Sequence, residues 1–255
     1  MVDPQGRGGL FDCRDRVVLV TGASSGLGER FARVLDGAGA RAVLTARRSD
    51  RLEALAHELT DPLCLPGDLT DPSHRQALVD TIEERYGRLD VLINNAGSCD
   101  AGPLEEQTLE ELTSVIELNL VATIDLCRLA APLLFRAPSP SVVNIASVFG
   151  VVASRPAMAA YNATKGALVN FTRHLAAQWG PRGVRVNALA PGYFPTELTG
   201  MLTDEGLAAS IRDRTLLGRP PTMAEIDGPL LFLVSDASSY VTGHTLLVDG
   251  GWTSA

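Results

Sequence analysis

The chain has four cysteines and four histidines in 255 residues, and neither set is grouped. Cys13, Cys64, Cys99 and Cys127 are widely spaced and form no Cys-x-x-Cys pair. A disulfide framework or thiolate metal centre is therefore not indicated, and buried reduced thiols are the default. His57, His74, His174 and His244 show no metal-ligand spacing, so no metal is expected. Basic residues are also in deficit, 22 against 30 acidic ones, which gives a net charge of −8 and a pI near 5.0. A field of that sign repels nucleic acid and anionic membrane, leaving only local basic sites for a small anion. A long uninterrupted apolar run is missing too. The best candidate, Leu112 to Phe135, is broken by Glu117, Asn119, Asp125 and Arg128 and reads as a buried helix. Met1 to Gly9 is Gly-rich and polar, unlike a signal peptide, and a cytoplasmic protein is expected.

What is present is an alternation of strand and helix. Short apolar runs at Val17–Val20, Ala42–Ala46, Leu63–Leu65, Val91–Ile93, Val142–Ile145, Val184–Ala188 and Thr245–Val248 read as strands. Helical patterns fall between them at Leu27–Leu35, Arg51–Leu59, 73–86, 105–136, 157–179 and Ala224–Val234. Continuous apolar strands joined by helical crossovers predict an α/β fold, a doubly wound parallel sheet of about seven strands with helices on both faces. No internal repeat or long linker divides the chain, so residues 12–255 are expected to form one domain behind a loose arm at 1–11.

Four constellations carry chemistry. Thr21-Gly22-Ala-Ser24-Ser25-Gly26-Leu27-Gly28 follows the first strand and opens the first helix. Glycines there let the backbone approach a pyrophosphate, whose charge a helix N-terminus favours. An ordinary Gly-rich turn has the same text, and the spacing is not the Gly-x-Gly-x-x-Gly of the general dinucleotide fingerprint. At the end of the second strand stand Arg47 and Arg48, where an acidic residue would select NAD and an arginine accommodates the 2′-phosphate of NADP. NADP(H) is the preferred cofactor on this reading and NAD(H) remains open, since Asp50 is near and both arginines also read as solvated charges. Asp68 and Leu69 end the third strand, and Asn94-Asn95-Ala96-Gly97 ends the fourth, the carboxyl edge over which a ligand lies in such sheets. Asn119 within an apolar helix needs a polar partner. Ser147 follows the fifth strand.

Tyr161-Asn-Ala-Thr-Lys165 places a phenol and an ammonium four residues apart on one helical face. Two unit charges about 4 Å apart at an effective dielectric near 20 interact by roughly 4 kcal/mol, enough to bring a phenol of pKa about 10 toward neutrality. An acid-base catalyst works best there. Ser147 could hydrogen-bond the same substrate oxygen.

Together with Pro191-Gly192 and Val248-Asp249-Gly250-Gly251, these motifs stand in the order and approximate spacing of the short-chain dehydrogenase/reductase family, which the chain resembles from about residue 15 to its end. Pro191-Gly-Tyr-Phe-Pro-Thr-Glu-Leu198 and Thr242 to Gly251 are most similar to 3-oxoacyl-carrier-protein reductase-like and gluconate 5-dehydrogenase-like members. The resemblance implies a Rossmann-like fold, hydride transfer between nicotinamide and a ketone or secondary alcohol, and a homotetramer. It implies Tyr161 as acid-base, Lys165 lowering its pKa and binding the nicotinamide ribose, Ser147 polarising the substrate, and Asn119 holding a relay water. Pro191, Gly192 and Thr196 match the segment that clasps the nicotinamide end, and NADP-preferring members carry an arginine at the position of Arg47. Phe149, Ser154, Tyr193 and Phe194 border the expected substrate pocket, with Ser154 a rival to Ser147. Three departures stand out: Ser25 replaces a basic residue, the Ser147–Tyr161 stretch is about one residue longer, and Arg219-Pro-Pro-Thr222 lacks the usual glycine. The competing readings are an NAD-dependent polyol or sugar-acid dehydrogenase and a non-catalytic nucleotide-binding regulator.

Overall fold

A computed structural model describes residues 9–202 and 205–255. Seven strands, β1 (Val17–Thr21), β2 (Arg41–Thr45), β3 (Leu63–Cys64), β4 (Val91–Asn94), β5 (Ser141–Ile145), β6 (Arg185–Pro191) and β7 (Thr245–Val248), form one sheet in the order β3-β2-β1-β4-β5-β6-β7. Every pairing is parallel. Strand residues alternate between two apolar layers because side chains alternate across a pleat. Val18 and Val20 enter the layer under α1 (Gly26–Gly37), α2 (Ser49–Ala56) and α8 (Asp227–Val234). Val17 and Leu19 enter the layer under α3 (Pro72–Tyr86), α5 (Ala122–Leu134) and α6 (Ala159–Trp179). The chain reverses direction across the sheet between β1 and β4, so their carboxyl ends part and open a crevice there.

Local chemistry sets the helix boundaries. Asp71 accepts a hydrogen bond from the Ser73 amide at 2.8 Å and Pro72 follows it, which starts α3, and Gly87 in the left-handed region ends it. The long helix predicted over 105–136 begins later, because Thr108 and Glu111 form a capping box that starts α4 at Leu109. It continues through a π-helical turn, Glu117–Val121, into α5. The segment between β6 and α8 also holds a 3-10 stretch, Glu197–Leu202, and a helix α7 (Glu205–Arg214) that periodicity did not reveal. Most of the expected arm lies outside the described residues; within it the Leu10 carbonyl accepts from the Ala237 amide at 3.2 Å.

Candidate active site

One side chain joins the two strands that flank the crevice. Thr21 Oγ1, at the end of β1, accepts from the amides of Asn95 (2.9 Å) and Ala96 (3.0 Å) beyond β4. Asn95 Nδ2 donates back to the Thr21 carbonyl at 2.8 Å. Gly22 turns the chain at φ +67°, and a Cβ on it would lie 2.9 Å from the Ala96 Cα. On Gly28 a Cβ would stand 2.2 Å from the Gly22 carbonyl, so only glycine lets the first turn of α1 pack this close. The N-terminus of α1 thereby faces the crevice, a setting that favours an anion.

The crevice is a cleft of about 550 Å³, within the range of cofactor sites. Of the residues expected to hold a nucleotide, Gly22, Ser24, Ser25, Gly26, Leu27, Arg47, Arg48, Asp68, Leu69, Asn95, Ala96, Gly97, Pro191, Gly192 and Thr196 line it, together with Ser147, Tyr161 and Lys165. Gly28 lies behind the loop, where its part is packing.

At the outer end of the cleft Arg48, not Arg47, contacts the glycine loop. Its Nε donates to Ser24 Oγ at 3.3 Å and its Nη2 to Ser25 Oγ at 2.5 Å. Ser25, at the position where the resemblance implies a basic residue, therefore works as an acceptor for Arg48. Arg47 is exposed, and its charge helps hold the Asp68 carboxyl below its usual range, after the hydrogen bond from the Thr70 amide. His74 braces this end from beneath: its ring pairs with Thr45 Oγ1 at 3.0 Å and occupies the space that a Cβ on Gly67 would fill.

The reacting end rests on α6. Lys165, the only lysine in the chain, is 4% exposed. Its Nζ donates to the Ile145 carbonyl at 2.7 Å and stands 5.5 Å from the centroid of the Tyr161 ring. Burial pushes its pKa down to about 8. Burial also pushes the Tyr161 phenol up, against the expectation of a lowered value, and the neighbouring Ser147 hydroxyl offsets part of the rise. Ser147 Oγ accepts from the Phe149 amide at 3.2 Å. In the chain itself, removal from water outweighs the lysine's influence on the phenol.

Asn119 sits in the π-helical turn, 1% exposed. Its Oδ1 accepts from the Ser98 amide and its Nδ2 donates to the Ser98 carbonyl, each at 2.8 Å, with Thr164 Oγ1 a further partner at 3.2 Å. The partner its burial demanded is thus a loop peptide, and the amide does not line the cleft. Asp100 went unnoticed in the sequence. Only 6% exposed, it accepts from the Tyr161 amide at 2.8 Å and the Ala160 amide at 3.2 Å, so it caps α6 from a distant loop. No local motif could reveal a cap supplied from sixty residues upstream.

Phe149 and Tyr193 pack edge-to-face with Trp252, at ring-centroid distances of 5.5 to 5.9 Å, and Tyr161 rests against this cluster. Phe194 lines the cleft directly. Ser154 does neither: its hydroxyl donates to the Pro156 carbonyl and accepts from Asn162 Nδ2, which removes it from competition with Ser147. Among the described residues no group of His, Cys, Asp or Glu is placed to hold a metal, and no helix is long and apolar enough to cross a membrane.

Sheet order, glycine loop and the Ser147–Tyr161–Lys165 cluster together define a nucleotide-binding dehydrogenase fold. The family described as Enoyl-(Acyl carrier protein) reductase matches residues 22–253. A gluconate 5-dehydrogenase of Gluconobacter oxydans is 37% identical over 96% of this chain and 97% of its own. A cyclopentanol dehydrogenase of Comamonas testosteroni is 35% identical over 94% and 98%. Among solved structures, a gluconate 5-dehydrogenase from Burkholderia cenocepacia, in complex with NADP and tartrate, superposes with a TM-score of 0.90 at 33% identity, covering 96% of this chain and 98% of that one. The chain belongs to the short-chain dehydrogenase/reductase family.

Proposed function

We propose that this chain is an NADP(H)-dependent oxidoreductase that interconverts a ketone and a secondary alcohol, working as a reductase where the cell keeps NADPH reduced. The observation that carries the reading is that Ser147, Tyr161 and Lys165 line the same cleft, with the lysine ammonium 5.5 Å from the centroid of the phenol ring. The residues present fit a dinucleotide. Gly22 and Gly28 let the loop and the first turn of α1 pack where a Cβ would clash, α1 points its N-terminus at the cleft, and Arg48 with the two loop serines makes a polar cradle at the outer end. The NADP in the Burkholderia relative supports the choice of cofactor.

When bound, the nicotinamide supplies the hydride in reduction and accepts it in oxidation. Tyr161 gives its proton to the carbonyl oxygen, and Ser147 holds that oxygen through a hydrogen bond from its hydroxyl. Lys165 stabilises the phenolate left behind: opposite unit charges separated by the 5.5 Å between Nζ and the ring centroid attract by about 3 kcal/mol at an effective dielectric of 20. A raised phenol pKa keeps Tyr161 protonated through the neutral range, as a proton donor to the carbonyl oxygen requires. Asn119 acts as an organiser, pinning the Ser98 peptide so that Gly97 lies against Lys165 Nζ. Its Nδ2 is fully engaged by the Ser98 carbonyl and Thr164 Oγ1, which leaves the second lone pair of Oδ1 for a relay water.

Residues 12–255 form the catalytic unit on this reading, in the cytoplasm. A homotetramer is supported by the exposed apolar side chains Leu109, Ile116, Val121 and Ile124 along the α4–α5 helix. The test is a panel of ketones and secondary alcohols followed by NADPH and NADH absorbance, with Tyr161→Phe beside the wild type. Turnover is expected to vanish in the variant while NADPH affinity stays within about twofold, because the ring is kept and only the transferable proton is lost. Substantial residual turnover would show that the proton comes from elsewhere.

A further inference from the structure

Arg48 has a third partner. Its Nη1 donates to Glu197 Oε2 at 2.9 Å, and the other oxygen of the same carboxylate accepts from Arg51 Nη1 at 2.5 Å. Glu197 opens the 3-10 stretch after Thr196, and Thr196 lies directly over Gly26, where its Cβ is 3.2 Å from the place a glycine Cβ would take. A segment that crosses the mouth of the cleft thus presents a carboxylate to the arginine that also holds Ser24 and Ser25. We propose that Glu197 tunes the preference for a 2′-phosphorylated nucleotide, by competing with that phosphate for the Arg48 guanidinium. The proposal rests on the NADP(H) reading and deepens it.

Arg48 and Glu197 are 40% and 50% exposed at their side chains. An ion pair so open to water is weakly held and readily exchanged. A phosphate monoester carries a charge of roughly −1.5 to −2 and takes a guanidinium bidentately, so it is the stronger partner. Both anions must nonetheless share Arg48, since Arg51 holds only the far oxygen of the carboxylate. Their mutual repulsion at an exposed site is worth about a factor of ten in affinity. A nucleotide with a free 2′-hydroxyl brings no second anion to Arg48, so Glu197 opposes only the phosphorylated form. Sequence inspection passes over Glu197, because in the chain it is one more acidic residue in a loop and its arginine partners lie about 150 positions earlier.

Binding of 2′,5′-ADP and of 5′-AMP to the wild type and to Glu197→Gln, measured by titration calorimetry, separates the possibilities without turnover. The variant is expected to bind 2′,5′-ADP five- to tenfold tighter (on the order of the repulsion removed) and 5′-AMP within twofold of the wild type. If Glu197 only holds the crossing segment in place, both ligands shift alike and the ratio is unchanged, which overturns the proposal. A weaker grip on 2′,5′-ADP alone overturns it too, since Glu197 would then be aligning Arg48. Equal wild-type affinities for the two ligands would sink the NADP(H) reading by themselves, while the shift in ratio on substitution still decides the competition.

Discussion

Lys165 is expected to titrate near 8 instead of near 10.5, and the chain offers an unusually direct way to see it. No other lysine is present, so protein labelled with carbon-13 lysine has a single side-chain Cε resonance to follow against pH. The displacement from 10.5 to about 8 corresponds to about 3 kcal/mol at roughly 1.4 kcal/mol per pH unit. Its origin is the loss of hydration around a 4%-exposed ammonium that donates to the Ile145 carbonyl. The sign for stability follows. Between about 8 and 10.5 the unfolded lysine is protonated and the folded one is not, so unfolding takes up a proton and this group's contribution rises with pH across that window. Three cysteines act in the opposite sense, Cys13 and Cys99 raised to about 11 and Cys127 to about 12. The lysine's part is therefore isolated as the urea-denaturation difference between wild type and Lys165→Met, which should change by up to about 3 kcal/mol from pH 8 to 10.5. A Cε resonance that titrates above 10 in the folded protein refutes the reasoning.

Four further substitutions probe the scaffold and the phosphate end. Asp100→Ala strands the amides of Ala160 and Tyr161 and should lower the urea-derived stability by about 2–4 kcal/mol, with turnover reduced more than any change in substrate KM; Asp100→Asn should recover roughly half of both, because it keeps the acceptor facing the Tyr161 amide. Arg48→Ala should weaken NADPH binding by one to two powers of ten and NADH binding far less, whereas Arg47→Ala should fall well short of that selectivity, since only Arg48 engages the loop serines. Comparable losses in both variants, measured by fluorescence titration, would return the phosphate site to a shared pair.

The fold was legible because parallel strands buried on both faces appear as uninterrupted apolar runs, and all seven lie at or within a few residues of those runs. The glycine loop and the Tyr161–Lys165 spacing were legible because each is local. What escaped was assembled over distance. Asp100 reaches α6 from another loop, Glu197 meets Arg48 across the cleft, and Trp252 closes on Phe149 from the far end of the chain. The pKa of the phenol escaped for a different reason: spacing reveals a neighbouring charge but not the exclusion of water, and here the second effect is the larger.

The π-helical turn at Glu117–Val121 does more than seat one amide. It takes in one residue beyond the α-helical count, and each α-helical residue advances the helix by roughly 100°. Deleting that residue would rotate everything downstream by about that angle, carrying Val121 and Ile124 out of line with Leu109 and Ile116. The interior anchoring of Ser98 and the outward face of the helix therefore share one phase, and neither can drift without dragging the other round.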